Sequence, residues 1–289
     1  MARLLRSFLF VPGNNKRFID KAKSLNADII CLDLEDSVPV NEKESARQLV
    51  SDALNTRSEF AGEVYVRTNS FYSGLVQDDL KAIVQQGING IVIPKVNDAN
   101  EAFEMSKLIS NLEHDRSIKE GTIEIMPSIE SAKGVVNAYK IASASPRVSA
   151  LVFGVFDFLF DMGLEHVEDG IEYSYARAKV PVDARAAGVY AIDSIWQNIE
   201  DINGLIRDAT TGMKLGYKGK SIIHPSQIEP VHKIFVPNKE EVEWAKKVVD
   251  ALSDAMRQGK GAVRLEGKMI DAVHYKRAKA LLDVIREKA

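Results

Sequence analysis

Residues 28–34 read DIICLDL. Ile29, Ile30, Cys31 and Leu32 are apolar without alternation, the pattern of a strand covered on both faces in a parallel sheet. Seven more short β-rich runs recur: SFLFV (7–11), EVYVRT (63–68), GIVIP (90–94), TIEIMPS (122–128), SALVFG (149–154), GVYAID (188–193) and KSIIH (220–224). Between them lie segments of helical period with capping residues. NNKRFIDKAKSL starts at Asn14 or Asn15, NEKESARQLVSDAL at Asn41, NDANEAFEMSKLISNL at Asn97 or Asp98, and SAKGVVNAYKIA at Ser131. DINGLIRDATTGMKLG ends on the C-cap-like Gly216.

Eight strands alternating with helices, about one unit per 30 residues, predict an α/β fold: a closed (β/α)8 TIM barrel. A doubly wound open sheet is the alternative. The barrel is assigned to residues 1–236 and a C-terminal helical extension, a lid or oligomerisation element, to 237–289. That tail holds the amphipathic EEVEWAKKVVDALSDAMRQG, a Gly-rich break GKGAVRLEGK, and the helix MIDAVHYKRAKALLDVIREKA.

The formal net charge of -3 carries no basic face of the kind nucleic-acid binding needs. The single cysteine, Cys31, cannot form an internal disulfide and reads as a buried structural thiol in a reducing compartment. The opening MARLLRSFLFVPG has a faint look of a signal peptide, but Arg6 splits its apolar run and no small-x-small cleavage site follows. No apolar stretch reaches the ~18 residues of a membrane span. The chain is expected to be cytoplasmic.

In such a barrel the chemistry sits at the C-terminal strand ends. There the sequence places Asp33, Glu35 and Asp36 after strand 2, Arg67 and Asn69 after strand 3, Lys95 after strand 4, Glu130 after strand 5, Asp157 after strand 6, Asp193 after strand 7 and His224 after strand 8. Helix capping is the plain reading for Asp36, Asn69 and Asp193. It fits Glu130 less well, because Ser131 is the better cap. It also fits Asp157 poorly, because Phe153, Phe156, Phe158 and Phe160 surround it in sequence.

Glu130 and Asp157 are therefore expected to share a hard divalent cation, Mg2+ or Mn2+, with the phenylalanines excluding water. Arg67 is expected to clamp a substrate carboxylate or carbonyl; a structural ion pair with one carboxylate is its alternative. Zinc spacing, GxSxG and a base beside Cys31 are absent, which argues against zinc and covalent catalysis. A Schiff base on Lys95 is disfavoured. His224 reads as a carbonyl-bonded structural residue.

The segments SFLFVPGNN, CLDLEDSV, VYVRTNS, GIVIPKV, SIES, ASPRVSALVFG, GKSIIHPSQI and GKMIDAVHYKRA resemble the citrate lyase β-subunit family, from about residue 5 to residue 282. That family includes malyl-CoA and citramalyl-CoA lyases. The resemblance implies a Mg2+-using (β/α)8 barrel, trimeric or hexameric, acting on 3-hydroxyacyl thioesters of CoA or acyl carrier protein. It implies Glu130 and Asp157 as metal ligands and Arg67 as substrate-binding. It places Glu35 and Asp36 in a supporting carboxylate segment, and Asp271 in a C-terminal lid that in some members reaches a neighbouring subunit. Where the family often reads GAED or GGDD, this chain reads GVFD, so Phe156 replaces an acidic residue.

The expected reaction is retro-Claisen cleavage of a malyl-, β-methylmalyl-, citramalyl- or citryl-type thioester to an acyl-CoA and a 2-oxo acid. Asp271 is the candidate base; N-cap of the last helix is its alternative. Asn14, Lys16 and Arg17, at the start of the first helix, are candidates for the CoA pyrophosphate, and Lys43 and Arg47 weaker ones. Two rival readings stand beside it: a thioesterase or a subunit acting on an acyl carrier protein, and a non-catalytic acyl-CoA-binding regulator.

Overall fold

A computed structural model describes residues 3–167, 170–236 and 239–286. Pro237, where the extension was expected to start, and the last three residues of the expected final helix lie outside them. The chain divides into two units, Leu5–Phe235 and a second made of the N-terminal residues and Val236–Ala289.

In the first unit eight parallel strands close into a barrel in chain order. They are β1 (Ser7–Pro12), β2 (Ile29–Asp33), β3 (Glu63–Arg67), β4 (Gly90–Ile93), β5 (Glu124–Ile129), β6 (Ala150–Phe153), β7 (Tyr190–Asp193) and β8 (Gly219–Ile222). Among the described residues nine α-helices of this unit follow them: α1 (Lys16–Ala22), α2 (Lys43–Asn55), α3 (Val76–Ile83), α4 (Ala99–Asp115), α5 (Ala132–Ala142), α6 (Val155–Met162), α7 (Ser174–Ala186), α8 (Ile202–Leu215) and α9 (Ile228–Ile234).

The unbroken apolar runs are explained by two cores. Side chains such as Leu32, Val66, Ile93 and Leu151 pack outward against the helices. Phe8, Ile29, Cys31, Tyr65, Val92, Met126 and Ile192 fill the barrel interior. Most strands are thus apolar on both faces; β8, with Lys220 and Ser221, is the exception. Tyr65 is bulky enough to demand a gap on its neighbour: a Cβ at Gly90 would stand 2.1 Å from its ring.

Caps match the expected starts at Asn15, Asp98 and Ser131, whose side chains accept backbone N–H groups of the first turn, and Asp201 caps α8 in the same way. The start at Asn41 does not hold. A 3-10 turn over Val40–Glu42 precedes α2, and its N-cap Glu42 makes no side-chain cap.

Helix α7 has no counterpart in the sequence reading, because Pro181 lies inside it. Proline cannot donate to the carbonyl four residues back, that of Arg177. The Tyr217 hydroxyl donates to it instead, at 2.9 Å.

The second unit is not purely helical. Between α10 (Lys239–Arg257) and α11 (Ala272–Arg286), the Gly-rich break forms an antiparallel hairpin of β9 (Ala262–Leu265) and β10 (Lys268–Asp271). Its two-residue turn puts Glu266 at φ 46° and Gly267 at φ 82°, the left-handed pair a tight hairpin needs. Glu at the first position hid that signal.

Gly90→Ala is expected to lower barrel stability by about 1–3 kcal/mol through overpacking against Tyr65. Urea unfolding followed by tryptophan fluorescence measures it, and Tyr65→Leu in the same background should recover part of the loss.

Candidate active site

Register brings the first pair together. Asp33, the last residue of β2, lies opposite Arg67, the last residue of β3. Arg67 Nε donates to Asp33 Oδ1 and Nη2 to Oδ2, both at 2.7 Å, and the guanidinium stacks on Phe10 at 4.8 Å. The edge of Arg67 expected to grip a substrate side-on is therefore committed to Asp33. Its Nη1 lies 3.1 Å from Glu35 Oε2. Burial works against both charges, but their pairing holds Asp33 below the usual carboxylate range and Arg67 above the usual arginine range.

Lys95 continues the chain of charges. Its Nζ lies 2.9 Å from Glu35 Oε1, 3.3 Å from Asp36 Oδ1 and 3.4 Å from Asp157 Oδ1. Its backbone takes φ 55°, strained for a non-glycine residue, where β4 gives way to its loop. Burial disfavours the ammonium, but Glu35, Asp157 and Asp36 outweigh it and hold Lys95 protonated well above the ordinary lysine range. A lysine so held is no Schiff-base nucleophile.

Asp157 lies in the first turn of α6, not on the strand end, and its side chain is 39% exposed. The expected phenylalanine seal does not form. Phe153 ends β6 and enters the core with Phe158, while on α6 Phe156 is half-buried against the His166 ring and Phe160 stands 88% exposed. The partner found for Asp157 is Lys95.

Glu130 follows β5 and is buried, with Ser131 serving as the cap of α5. Its Oε2 has no hydrogen-bond partner. Gly154 makes room for it: a Cβ there would stand 2.4 Å from Glu130 Cγ. Burial first, then the charges of Glu35 and Asp157, push the Glu130 carboxyl up to about 8. Burial and then Asp36 raise Glu35, against the pull of Arg67, to about 7.

Arg67, Glu130 and Asp157 line one cavity of about 90 Å3, with Ser128 and Ser221 among its polar lining and Phe10, Val152, Phe156 and Ile195 among its apolar lining. Five carboxylates (Asp33, Glu35, Asp36, Glu130 and Asp157) gather round two cations, and that excess adds to burial in lifting Glu35 and Glu130. Among the described residues no group of three or more His, Cys, Asp or Glu is arranged as a metal cage. Two hard oxygen donors beside open space, one with an orphaned buried atom, fit Mg2+, which usually keeps waters and substrate oxygens in its other positions.

Other expected residues lie elsewhere. Asn14 donates to Glu42, Lys16 pairs with Asp20, and Arg17 is exposed on α1. Lys43 donates to the carbonyls of Leu34 and Glu35, and Arg47 pairs with Asp79, so both brace the barrel wall rather than face an anion. Asn69 and Asp193 are not caps. Asn69 donates to Asp79, while Asp193 sits in a buried network with Arg177 and Lys220. Asp36 pairs with Lys95 rather than capping. His224 Nδ1 accepts from the Ser226 N–H rather than donating to a carbonyl. Asp271 belongs to the second unit, accepts from the N–H groups of Val273 and His274, and lies 2.7 Å from His274 Nδ1.

The sequence reading missed the holding role of Asp33, the hub at Lys95, and the contributions of Gly154 and Ser221. Asp33 and Lys95 left a signal as charged residues at strand ends; Gly154 and Ser221 left none.

Residues 6–225 match the HpcH/HpaI aldolase/citrate lyase family. The chain is 39% identical over 280 residues to citrate lyase subunit beta of Leuconostoc mesenteroides subsp. cremoris, covering 97% of this chain and 93% of that one. It is 33% identical over 296 residues to mitochondrial citramalyl-CoA lyase of Homo sapiens, covering 98% and 87%. Among solved structures, protein CitE of Mycobacterium tuberculosis, in complex with magnesium, acetoacetate and coenzyme A, is similar with a TM-score of 0.81 and 27% identity over 98% of each chain.

A raised carboxyl pKa makes the folded metal-free protein bind more protons than the unfolded chain. Its contribution is full below 4.5 and is lost as pH rises through about 8. In EDTA the urea midpoint should fall across that window, and Mg2+ should offset the fall. Glu130→Gln should flatten the pH slope and abolish the Mg2+ response. Gly154→Ala, by displacing Glu130, should also abolish the response.

Proposed function

Since the chain belongs to the HpcH/HpaI aldolase/citrate lyase family, we propose that it is a Mg2+-dependent carbon–carbon lyase. Its substrate is a 3-hydroxyacyl-CoA thioester of malyl, β-methylmalyl, citramalyl or citryl type, cleaved to an acyl-CoA and a 2-oxo acid. The observation that carries this reading is the surplus of carboxylate around the unpartnered Glu130 oxygen, beside an arginine already locked in place. Likeness to a citramalyl-CoA lyase, and to a CitE structure holding magnesium and coenzyme A, supports it.

Glu130 and Asp157 would hold the ion, Mg2+ with Mn2+ as a substitute. When bound, the ion supplies Lewis-acid polarisation of a carbonyl. Asp33 fixes Arg67 through one edge, and the guanidinium so held lines the cavity. That is positive charge set in advance where an enolate or carboxylate oxygen develops. Glu35 and Asp36 hold Lys95, and Lys95 steadies Asp157.

Asp271 is the proposed base for the substrate hydroxyl. His274 holds its carboxyl below the usual range, so it must leave that contact to accept a proton. A larger apolar cleft of about 250 Å3, lined by Phe18 and Lys21 of α1 and sharing Phe10 with the smaller cavity, suits the thioester arm. Asn14, Lys16 and Arg17 at the start of α1 are the proposed phosphate contacts.

The chain is proposed to act as a homotrimer or hexamer. Exposed apolar side chains on α5, α6 and α7, including Val136, Phe160 and Tyr175, support an oligomer. A cytoplasmic setting is supported by the buried free Cys31. No described helix is long and apolar enough to cross a membrane.

A second reading, a subunit acting on an acyl-carrier-protein thioester, is favoured by the likeness to citrate lyase subunit beta.

Malyl-, citramalyl- and citryl-CoA should be offered with Mg2+ to the wild type and to Asp157→Ala. The expected result is cleavage by the wild type and a loss of at least about 100-fold in the variant. Release of free CoA without acyl-CoA would indicate a thioesterase, and cleavage of carrier thioesters alone the second reading. Binding without any turnover would indicate a regulator. Asp271→Asn should lower kcat while leaving Mg2+ binding unchanged.

A further inference from the structure

Two buried side-chain atoms lining the small cavity lack a hydrogen-bond partner: Glu130 Oε2 and Ser221 Oγ. The first is accounted for by the proposed metal. Ser221 belongs to β8, is 2% exposed and stands in register with Phe8 of β1. Its backbone is part of the barrel ladder, so the hydroxyl is not needed there. Its register partner Phe8 and the interior side chain Val152 of the same cavity are apolar. Alanine would fit among them without stranding a polar group, whereas a hydroxyl buried without a partner is a net loss.

Serine brings one donor and two acceptor positions. The cavity already has acceptors in excess, in Glu130 and Asp157, so what serine adds is the donor. Glu130 follows β5, with β6 and β7 between it and β8. The two orphaned atoms do not satisfy each other, although they line one cavity of about 90 Å3. That space admits only a few heavy atoms, which fits the small-acid half of the substrate and not the thioester arm.

We propose that Ser221 recognises the carboxylate of the 2-oxo acid, donating its hydroxyl to the carboxylate oxygen that faces away from Glu130 and Asp157. This rests on the lyase reading for the nature of the ligand. Arg67, lining the same cavity, adds its charge to that carboxylate. Ser221 is then a recognition residue for the acid half, separate from the groups that hold the cation.

The test is calorimetric titration of the full chain with pyruvate and with glyoxylate in Mg2+, comparing wild type, Ser221→Ala and Ser221→Cys. Mn2+ binding is read in parallel by electron paramagnetic resonance. The expected result is a Kd for the oxo acids raised about 10-fold in both variants, with Mn2+ affinity unchanged. Ser221→Cys keeps the volume and weakens the donor, so it should follow Ser221→Ala. Methyl pyruvate, which lacks the carboxylate, should bind all three proteins alike. Unchanged oxo-acid affinity in the variants overturns the proposal. So does a parallel loss of Mn2+ binding, or a wild type that binds neither acid. If the wild type binds the acids and the variants bind them weakly, yet no thioester is cleaved, the lyase reading falls and the role of Ser221 stands.

Discussion

The paired hydrogen bonds between Asp33 and Arg67 set the terms for the rest of the barrel mouth. Both residues are largely buried, and each would be costly there alone. Their geometry follows from strand register, since the last residues of β2 and β3 face each other directly. Because Asp33 takes one whole edge of the guanidinium, Arg67 cannot swing out to neutralise the other carboxylates. Glu35 receives only its Nη1, and Glu130 only its distant field.

That commitment leaves the mouth short of positive charge. Lys95 meets part of the deficit by bridging Glu35, Asp36 and Asp157. Glu130 is left out, walled in by burial and kept there by the missing side chain of Gly154. Its raised pKa follows from this arrangement and marks the place where a further cation is most favoured. The strained backbone of Lys95 fits the same account: the loop accepts an unfavourable φ so that one ammonium can stand among three carboxylates.

How far the site could be read depended on the residue. Glu130 was recognisable because Ser131 already supplied the cap, leaving an acid at a strand end with no local duty. Asp157 does line the cavity with Glu130 and Arg67, but the reason for singling it out failed. Neighbours in sequence are not neighbours in space on a helix, and the rings flanking it point to different surroundings. Lys43 and Arg47 illustrate the opposite error. As basic residues in a loop-to-helix segment they suggest an anion site, yet they reach back to backbone carbonyls of the β2 loop and to Asp79. Helix α7 escaped notice because Pro181 breaks local propensity, and the hydroxyl that takes up the freed Arg177 carbonyl comes from Tyr217, 40 residues beyond Arg177.

What the sequence by itself determined was the rhythm of the fold: eight strands, most of them apolar on both faces, helices begun by short polar caps, and acids and bases collected at strand ends. These are local properties, carried by periodicity and by residues a few positions apart. Only the tertiary structure decided which of those polar residues are paired and which are left over. Ion pairing depends on register between strands, on burial, and on where one missing Cβ lets another side chain stand. Those are distances across the barrel, which no stretch of sequence contains.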